Sequence, residues 1–377
     1  MTAQKRLELI KELQKKRGSK VITYVTGDRP FFESQIAGDT PRLFFDHLLS
    51  MGEKIPRLDL FLYSTGGDTS VPWRIISVIR EFAEEVNVLI PYRAYSAATL
   101  ISIGADHIFM GKKGELSPID PAVISDFNPI DQLTGQRIRI NVEDITSYIT
   151  LLKEKVGLLH QPEIGNSFVE LTKAVSPVAL GYVNRHYSFI RMVAKKLLQS
   201  HREPLLETKI EDIIKELVER QYFHGHGIAR SEAKNLGLKI ETPIKDEEGL
   251  MWELYLEYEE HLQLNNIINP LEILEADNSN QIIMSNQTVA SIESEKISHN
   301  YELDAVIIAK RTIPQQLQLN VNFQVPPGLD PNSISPQLLQ QWNQQLELLA
   351  QQAMIQQSPI TGFDIKQKNS SWKRKDW

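Results

Sequence analysis

The chain has 377 residues, 41% of them hydrophobic and 24% charged, a composition that suits one large globular domain with appendages or two domains. A net charge of −7 gives no global reason to expect nucleic acid as a partner, and the lack of cysteine excludes disulfides, thiolate metal sites and a cysteine nucleophile. The charged N-terminus has no apolar signal-peptide core, and the most apolar window, residues 86–110, is broken by Arg93, Asp106 and His107, so the expectation is a cytoplasmic protein with no membrane span.

Leu7, Ile10 and Leu13 recur at helical spacing and predict a helix over residues 4–17. The β-branched run 21–25 predicts a strand that Gly27-Asp28 ends. Residues 40–51 read as a helix with Thr40 as N-cap and Pro41 at its first position. A strand over 58–63 stops at Ser64-Thr65-Gly66-Gly67-Asp68. A helix over 71–85 carries Ile75, Ile79 and Phe82 on one face, and strands over 86–90 and 107–110 flank a helix of small residues over 96–104. Strand and helix thus alternate from about residue 20 to 125, which predicts parallel strands with crossover helices in a layered α/β fold.

Residues 143–157, 167–199, 210–220 and 231–236 read as helical. Beyond about residue 250 the apolar runs 281–284, 288–292 and 305–308 predict strands. The glutamine-rich stretch 314–357 carries a helix over 336–356, because Leu338, Leu339, Trp342 and Leu346 share a face. The polar, basic end, 366–377, reads as disordered. The expected organisation is an N-terminal helix (1–19), a main α/β domain (20–245), a small β-containing module (246–313) and a Gln/Pro-rich, partly disordered tail (314–377).

Gly66-Gly67 stands at the carboxyl end of a strand, the edge at which α/β sheets bind ligands. Two glycines there let the backbone turn sharply and aim an N–H at a ligand, although a plain tight turn uses the same residues. Ser96 opens a helix, where its hydroxyl meets the positive end of the dipole beside the Ala97 amide. Taken alone, such a serine is a helix cap. Thirty residues separate Gly66 from Ser96 and hold one helix and one strand, so adjacent parallel strands bring both to one sheet edge.

Four ordered strings carry a resemblance: Leu62-Tyr63-Ser64-Thr65-Gly66-Gly67, Pro91-Tyr92-Arg93-Ala94-Tyr95-Ser96-Ala97-Ala98-Thr99, Ala105-Asp106-His107-Ile108-Phe109-Met110-Gly111 and Leu116-Ser117-Pro118-Ile119-Asp120-Pro121. Together they resemble the serine dehydrogenase proteinase family, a branch of the Clp protease, signal peptide peptidase A and crotonase superfamily. Residues 227–238 are similar to the segment that closes the superfamily's core, so the resemblance covers residues 20–240. It implies a Clp/crotonase-like spiral of ββα units. It also implies a Ser96 nucleophile, an oxyanion hole at Gly66, Gly67 and Ala97, and peptide-bond hydrolysis. Assembly into a trimer-based or ring-like homo-oligomer belongs to the same implication. One departure is Ala98, where the family usually has glycine; its methyl group leaves both amides in place.

A serine nucleophile needs a general base. Asp120 follows Ser96 by 24 residues, beside the place of the Clp histidine, and His224 lies beside the place of the Clp acid. The pair would be the Clp triad with base and acid exchanged. Another reading makes Pro118-Ile119-Asp120-Pro121 a rigid, substrate-lining turn, stiffened by Pro118 and Pro121. His226 could replace His224, and a lysine base at Lys112 or Lys113 would require desolvation. His160, in Leu159-His160-Gln161-Pro162, has the letters of a Clp histidine motif at the wrong distance, 64 residues after Ser96. His224-Gly225-His226 lacks a third metal ligand, and neither metal nor cofactor is expected. The leading expectation is a serine endopeptidase acting on peptide or protein. The alternatives are a catalytically inactive scaffold or binding module and crotonase-like thioester chemistry.

Overall fold

The structure, a computed structural model, describes residues 3–119, 122–123, 126–138, 140–219, 226–277, 279–311 and 335–377. Two compact units divide the chain: Met1–Asn265 with Thr288–Tyr301 and Trp372–Trp377, and Asn266–Gln287 with Glu302–Ser371.

The first unit begins with α1 (Ala3–Arg17), β1 (Lys20–Thr26), α2 (Thr40–Met51), β2 (Ile55–Tyr63), α3 (Val71–Phe82) and β3 (Ala83–Ile90). A two-residue β4 (Arg93–Ala94) leads to α4 (Ala97–Ile103), β5 (His107–Met110) and β6 (Glu115–Leu116). The order across the sheet is β3 beside β2 beside β1, with β5 outside β3, and every one of these pairs is parallel. The expected alternation of strand and crossover helix is therefore present, in a mixed α/β fold.

Burial explains why the strands read as apolar runs rather than as clean alternation. Ile22, Tyr24, Leu58, Leu60 and Leu62 enter one core cluster, while Val21, Val25, Phe61 and Tyr63 enter another. Successive side chains of a strand point to opposite faces, and here both faces are covered. On one side lie α2, α3 and α4, with Phe44, Leu48, Ile75, Ile76 and Ile79 fully buried.

The middle of the chain holds β7 (Ala122–Val123), β8 (Ile140–Asn141), α5 (Val142–Thr150), α6 (Gln161–Ala174), α7 (Pro177–Gln199) and α8 (Glu207–Ile214). Single π-turns, Leu151–Lys155 and Lys215–Glu219, extend α5 and α8. The helix expected over 167–199 is two helices. Ser176 accepts a hydrogen bond from the Val178 N–H and Pro177 starts α7, so the chain breaks at a capped proline. Then come β9 (Ile228–Ala229), α9 (Arg230–Asn235), β10 (Ile240–Glu241), which pairs parallel with β5, and α10 (Lys245–His261). Leu250, Met251, Leu254, Tyr255 and Tyr258 of α10 pack with Leu9, Ile10 and Leu13 of α1 on the second face of the sheet.

The remaining elements are α11 (Pro270–Asp277), β11 (Gln281–Glu293), β12 (Ile297–Arg311), α12 (Pro336–Gln357) and β13 (Ile360–Asp376). Within the first unit β11 pairs antiparallel with β1, Tyr24 opposite Ile292, and β12 and β13 follow outward. The two strands expected over 281–284 and 288–292 are one strand, which passes through Asn286 at φ 54°. Asparagine tolerates that conformation better than most side chains. In the second unit α12 occupies the expected stretch, with the Ser335 Oγ accepting the Leu338 N–H.

The C-terminal end corrects the sequence reading most. Residues 366–377, expected as disordered, lie mainly in β13. Trp372 Nε1 donates to Asp39 Oδ2 at 2.7 Å, and Trp377 Nε1 donates to the Ser294 carbonyl at 2.7 Å. Among the described residues no helix is long and apolar enough to cross a membrane.

Candidate active site

The end of β2 and the loop before α4 are stitched together by Ser64. Its N–H donates to the Arg93 carbonyl at 3.0 Å, and its carbonyl accepts the Tyr95 N–H at 2.9 Å. Its hydroxyl accepts from Thr26 Oγ1 at 2.7 Å and from the Gly66 N–H at 3.0 Å. One serine thereby fixes the end of β1, the glycine turn and the approach to Ser96.

The two glycines are required by space as well as by conformation. Gly66 has φ 115° and Gly67 φ 150°. A Cβ on Gly66 would stand 2.9 Å from the Ser96 Cβ and 3.1 Å from the Tyr95 carbonyl oxygen. A Cβ on Gly67 would stand 2.3 Å from the Ile36 carbonyl oxygen. Ile36 flanks the turn, donating its N–H to the Gly66 carbonyl and accepting the Asp68 N–H, both at 2.8 Å. The Gly67 N–H itself has no acceptor among the described residues.

Ser96 occupies the N-cap position of α4, yet its hydroxyl makes no capping hydrogen bond. Its backbone lies at φ 51°, ψ −109°, a conformation that costs a non-glycine residue of the order of 1–3 kcal/mol. Such strain at a strand-to-helix turn is how a nucleophile elbow exposes a serine hydroxyl. The Ser96 N–H donates to Ser117 Oγ at 2.8 Å, and Ser117 Oγ donates to the Pro118 carbonyl at 2.9 Å. Thr99 Oγ1 lies 2.8 Å from the Ala94 carbonyl oxygen and accepts the Ser117 N–H at 3.1 Å. Ala97, the first residue of α4, has an N–H free of the helix ladder. Ala98 is fully buried in the core, and its N–H donates to the Tyr95 carbonyl at 2.9 Å.

A three-stranded sheet, β4 beside β6 beside β9, brings later segments to this loop, with Ala94 opposite Leu116 and Leu116 opposite Ile228. Tyr95 donates its hydroxyl to Glu115 at 2.5 Å, and burial together with that carboxylate pushes the phenol up to about 12. The Ile119 N–H donates to the Leu217 carbonyl at 2.9 Å. Ile119 is thus a neighbour of Leu217, and Leu116 joins Ala94 to Ile228.

Asp120, Pro121 and His224 lie outside the described residues. His226 is exposed, with Nε2 2.9 Å from Glu232 Oε1. Lys112 and Lys113 are exposed, Lys113 Nζ standing 5.3 Å from the centre of the Tyr92 ring, and neither has the burial a lysine base requires. His160 is exposed just before α6. Pro118 is buried, and its carbonyl serves Ser117. No described side chain is hydrogen-bonded to Ser96 Oγ. The residues missed from sequence are the hydroxyls of Thr26, Ser64, Thr99 and Ser117. Their one visible signal was position, since Ser64, Thr99 and Ser117 stand within the quoted strings.

The mixed α/β sheet, with a glycine pair and a positive-φ serine at adjacent strand ends, is consistent with a ClpP-like fold. Residues 1–155 match the family described as ClpP-like SDH-type serine proteinases, so the family resemblance read from the sequence holds over that span. The span includes Gly66, Gly67, Ser96, Ala97 and Asp120 and ends before His224. The chain is also similar to two proteins of Methanocaldococcus jannaschii. The uncharacterized protein MJ0137 is 24% identical over 257 residues, 66% of this chain and 78% of that one. The uncharacterized protein MJ1495 is 21% identical over 258 residues, 67% of this chain and 76% of that one.

Proposed function

We propose that this chain is a serine peptidase in which Ser96 Oγ attacks a peptide carbonyl. The Gly67 and Ala97 amides, with Gly66 shaping the turn, stabilise the oxyanion of the acyl-transfer intermediate. His224 takes the serine proton and Asp120 orients it. An endopeptidase acting on peptide or protein within a trimer-based or ring-like homo-oligomer, in the cytoplasm and built on a spiral of ββα units, belongs to the same reading.

The observation that carries it is the Ser96 backbone at φ 51°, with a hydroxyl that caps nothing and Gly66 packed against its Cβ. Each well-aimed oxyanion donor contributes about 2.7–4 kcal/mol to barrier lowering, so two amides supply a substantial share of catalysis. The match of residues 1–155 to a serine proteinase family supports the same chemistry. A fluorophosphonate probe tests it. The folded parent should be labelled and Ser96→Ala should not. Equal labelling of both, or none of the parent, would leave an inactive binding module as the better reading.

A further inference from the structure

A cavity of about 300 Å³ opens where β3 and β5 end, at Pro91 and Gly111. Carboxyl ends of parallel strands are where α/β sheets accept ligands. The volume is at the small end for ligand pockets, the room taken by one large amino-acid residue. Pro91, Met251 and Trp252 give it apolar walls. Met251 is buried, whereas Trp252 is 36% exposed. A Cβ on Gly249 would meet nothing within 4 Å, so this part of the rim is open.

The charges around it are unbalanced. Lys112, Lys113 and Lys245 line the cavity against one acid, Glu248, an excess of two positive charges in a chain whose net charge is −7. Glu248 is already engaged: Oε1 accepts the Lys112 N–H at 2.6 Å and Oε2 lies 3.8 Å from Lys112 Nζ. The acids that follow Lys245 serve α1 instead, Asp246 pairing with Lys16 and Glu247 with Arg17, both at 2.9 Å. Lys113 rests over the Tyr92 ring, and neither Lys113 nor Lys245 pairs with a carboxylate among the described residues. Two ammonium groups without an ion-pair partner among the described residues therefore border a recess with apolar walls.

We infer that this cavity binds a carboxylate carried on an apolar body, of the size of a leucine or phenylalanine residue with a free carboxyl group. A peptide C-terminus and a free branched-chain acid share that chemistry. The inference does not depend on the peptidase reading, because it is tested in the full-length Ser96→Ala protein.

Isothermal titration with acetyl-Ala-Ala-Leu as the free acid, the same peptide as its amide, and 4-methylpentanoate makes the test. At least one acid should bind saturably, and Lys113→Glu with Lys245→Glu should weaken it by about tenfold or more at an unchanged melting temperature. Where the peptide acid is the ligand, its amide should be weaker by a similar factor. Binding of the peptide acid alone identifies a peptide terminus, and binding of 4-methylpentanoate alone identifies a free acid. Equal affinity for peptide acid and amide, no saturable binding of either acid, or indifference to the double charge reversal would overturn the inference.

Discussion

Ser117 holds the Ser96 backbone through one hydrogen bond, its Oγ accepting the Ser96 N–H at 2.8 Å while donating to the Pro118 carbonyl at 2.9 Å. A strained residue keeps its conformation only when its surroundings over-determine it, and among the described residues this hydroxyl is the side chain that hydrogen-bonds the Ser96 backbone. Ser117→Ala leaves the Ser96 N–H without its acceptor, at a cost of about 1–3 kcal/mol in stability. On the peptidase reading, the rate constant for fluorophosphonate labelling should fall by about tenfold or more, because the hydroxyl is no longer aimed. Denaturant midpoints and labelling kinetics on one sample check both. A stability loss with an unchanged labelling rate would show that Ser117 supports the fold without positioning the serine.

The glycine turn should tolerate no side chain, for two different reasons. In Gly66→Ala the new methyl meets the Ser96 Cβ at 2.9 Å, so the damage falls on the serine. In Gly67→Ala it meets the Ile36 backbone at 2.3 Å, which no rotamer change relieves. Both substitutions also place alanine at a positive φ. Gly67→Ala should therefore lose more melting temperature, whereas Gly66→Ala should lose labelling out of proportion to stability. Differential scanning fluorimetry paired with probe labelling separates the two, and similar behaviour of both variants would contradict the assignment.

Much of this arrangement was legible in the sequence. The run from residue 20 to 90 reads as alternating elements because β1, β2 and β3 are buried on both faces and α2 and α3 on one. The neighbourhood of Gly66 and Ser96 followed from that alternation. The φ of Ser96 did not, since tertiary contacts, the Ser117 hydroxyl on its N–H and the close approach of Gly66 to its Cβ, hold an L-residue there. Helix α10 was missed because Leu250, Met251, Leu254, Tyr255 and Tyr258 are interspersed with Glu247, Glu248, Glu253, Glu257, Glu259 and Glu260. Strand β13 was missed because Lys366-Gln367-Lys368-Asn369 carries no apolar alternation, its order coming from pairing and from the two tryptophans.

Acid should weaken the fold through His47. This imidazole is fully buried, with Nδ1 2.7 Å from Ser294 Oγ and Nε2 3.0 Å from His299 Nδ1. Burial, reinforced by His299, lowers its pKa to about 3. The unfolded chain takes up a proton near pH 6.5 that the folded chain refuses until about pH 3. Stability from this site is thus complete above pH 6.5 and declines as the pH falls toward 3, by about 2 kcal/mol between pH 7 and 5. Asp106 acts in a lower window. Arg80 and the Val86 and Arg202 amides hold its carboxyl below the usual range, so its contribution is lost only under stronger acid. Urea midpoints at pH 7 and 5 should differ in the parent and differ less in His47→Gln; an equal slope in both would remove His47 from the account.

The C-terminal six residues should stabilise the first unit rather than trail from it. Trp372 packs its ring 5.2 Å from that of Tyr301 and donates Nε1 to Asp39 at 2.7 Å. Trp377 donates its backbone N–H to the Lys296 carbonyl at 3.1 Å and its indole N–H to the Ser294 carbonyl at 2.7 Å. These contacts cover the β11–β12 turn directly beside the buried His47–His299 pair. Removing residues 372–377 deletes these three hydrogen bonds, the packed Trp372 indole and the end of β13 beside β12, a loss of about 3–5 kcal/mol or more if the turn does not rearrange. The truncated chain should melt several degrees lower, and its acid sensitivity should fall, because water then reaches His299 and its pKa, held down by burial, rises toward the unfolded value. A disordered tail would give the opposite result, with melting temperature and pH profile both indifferent to the deletion.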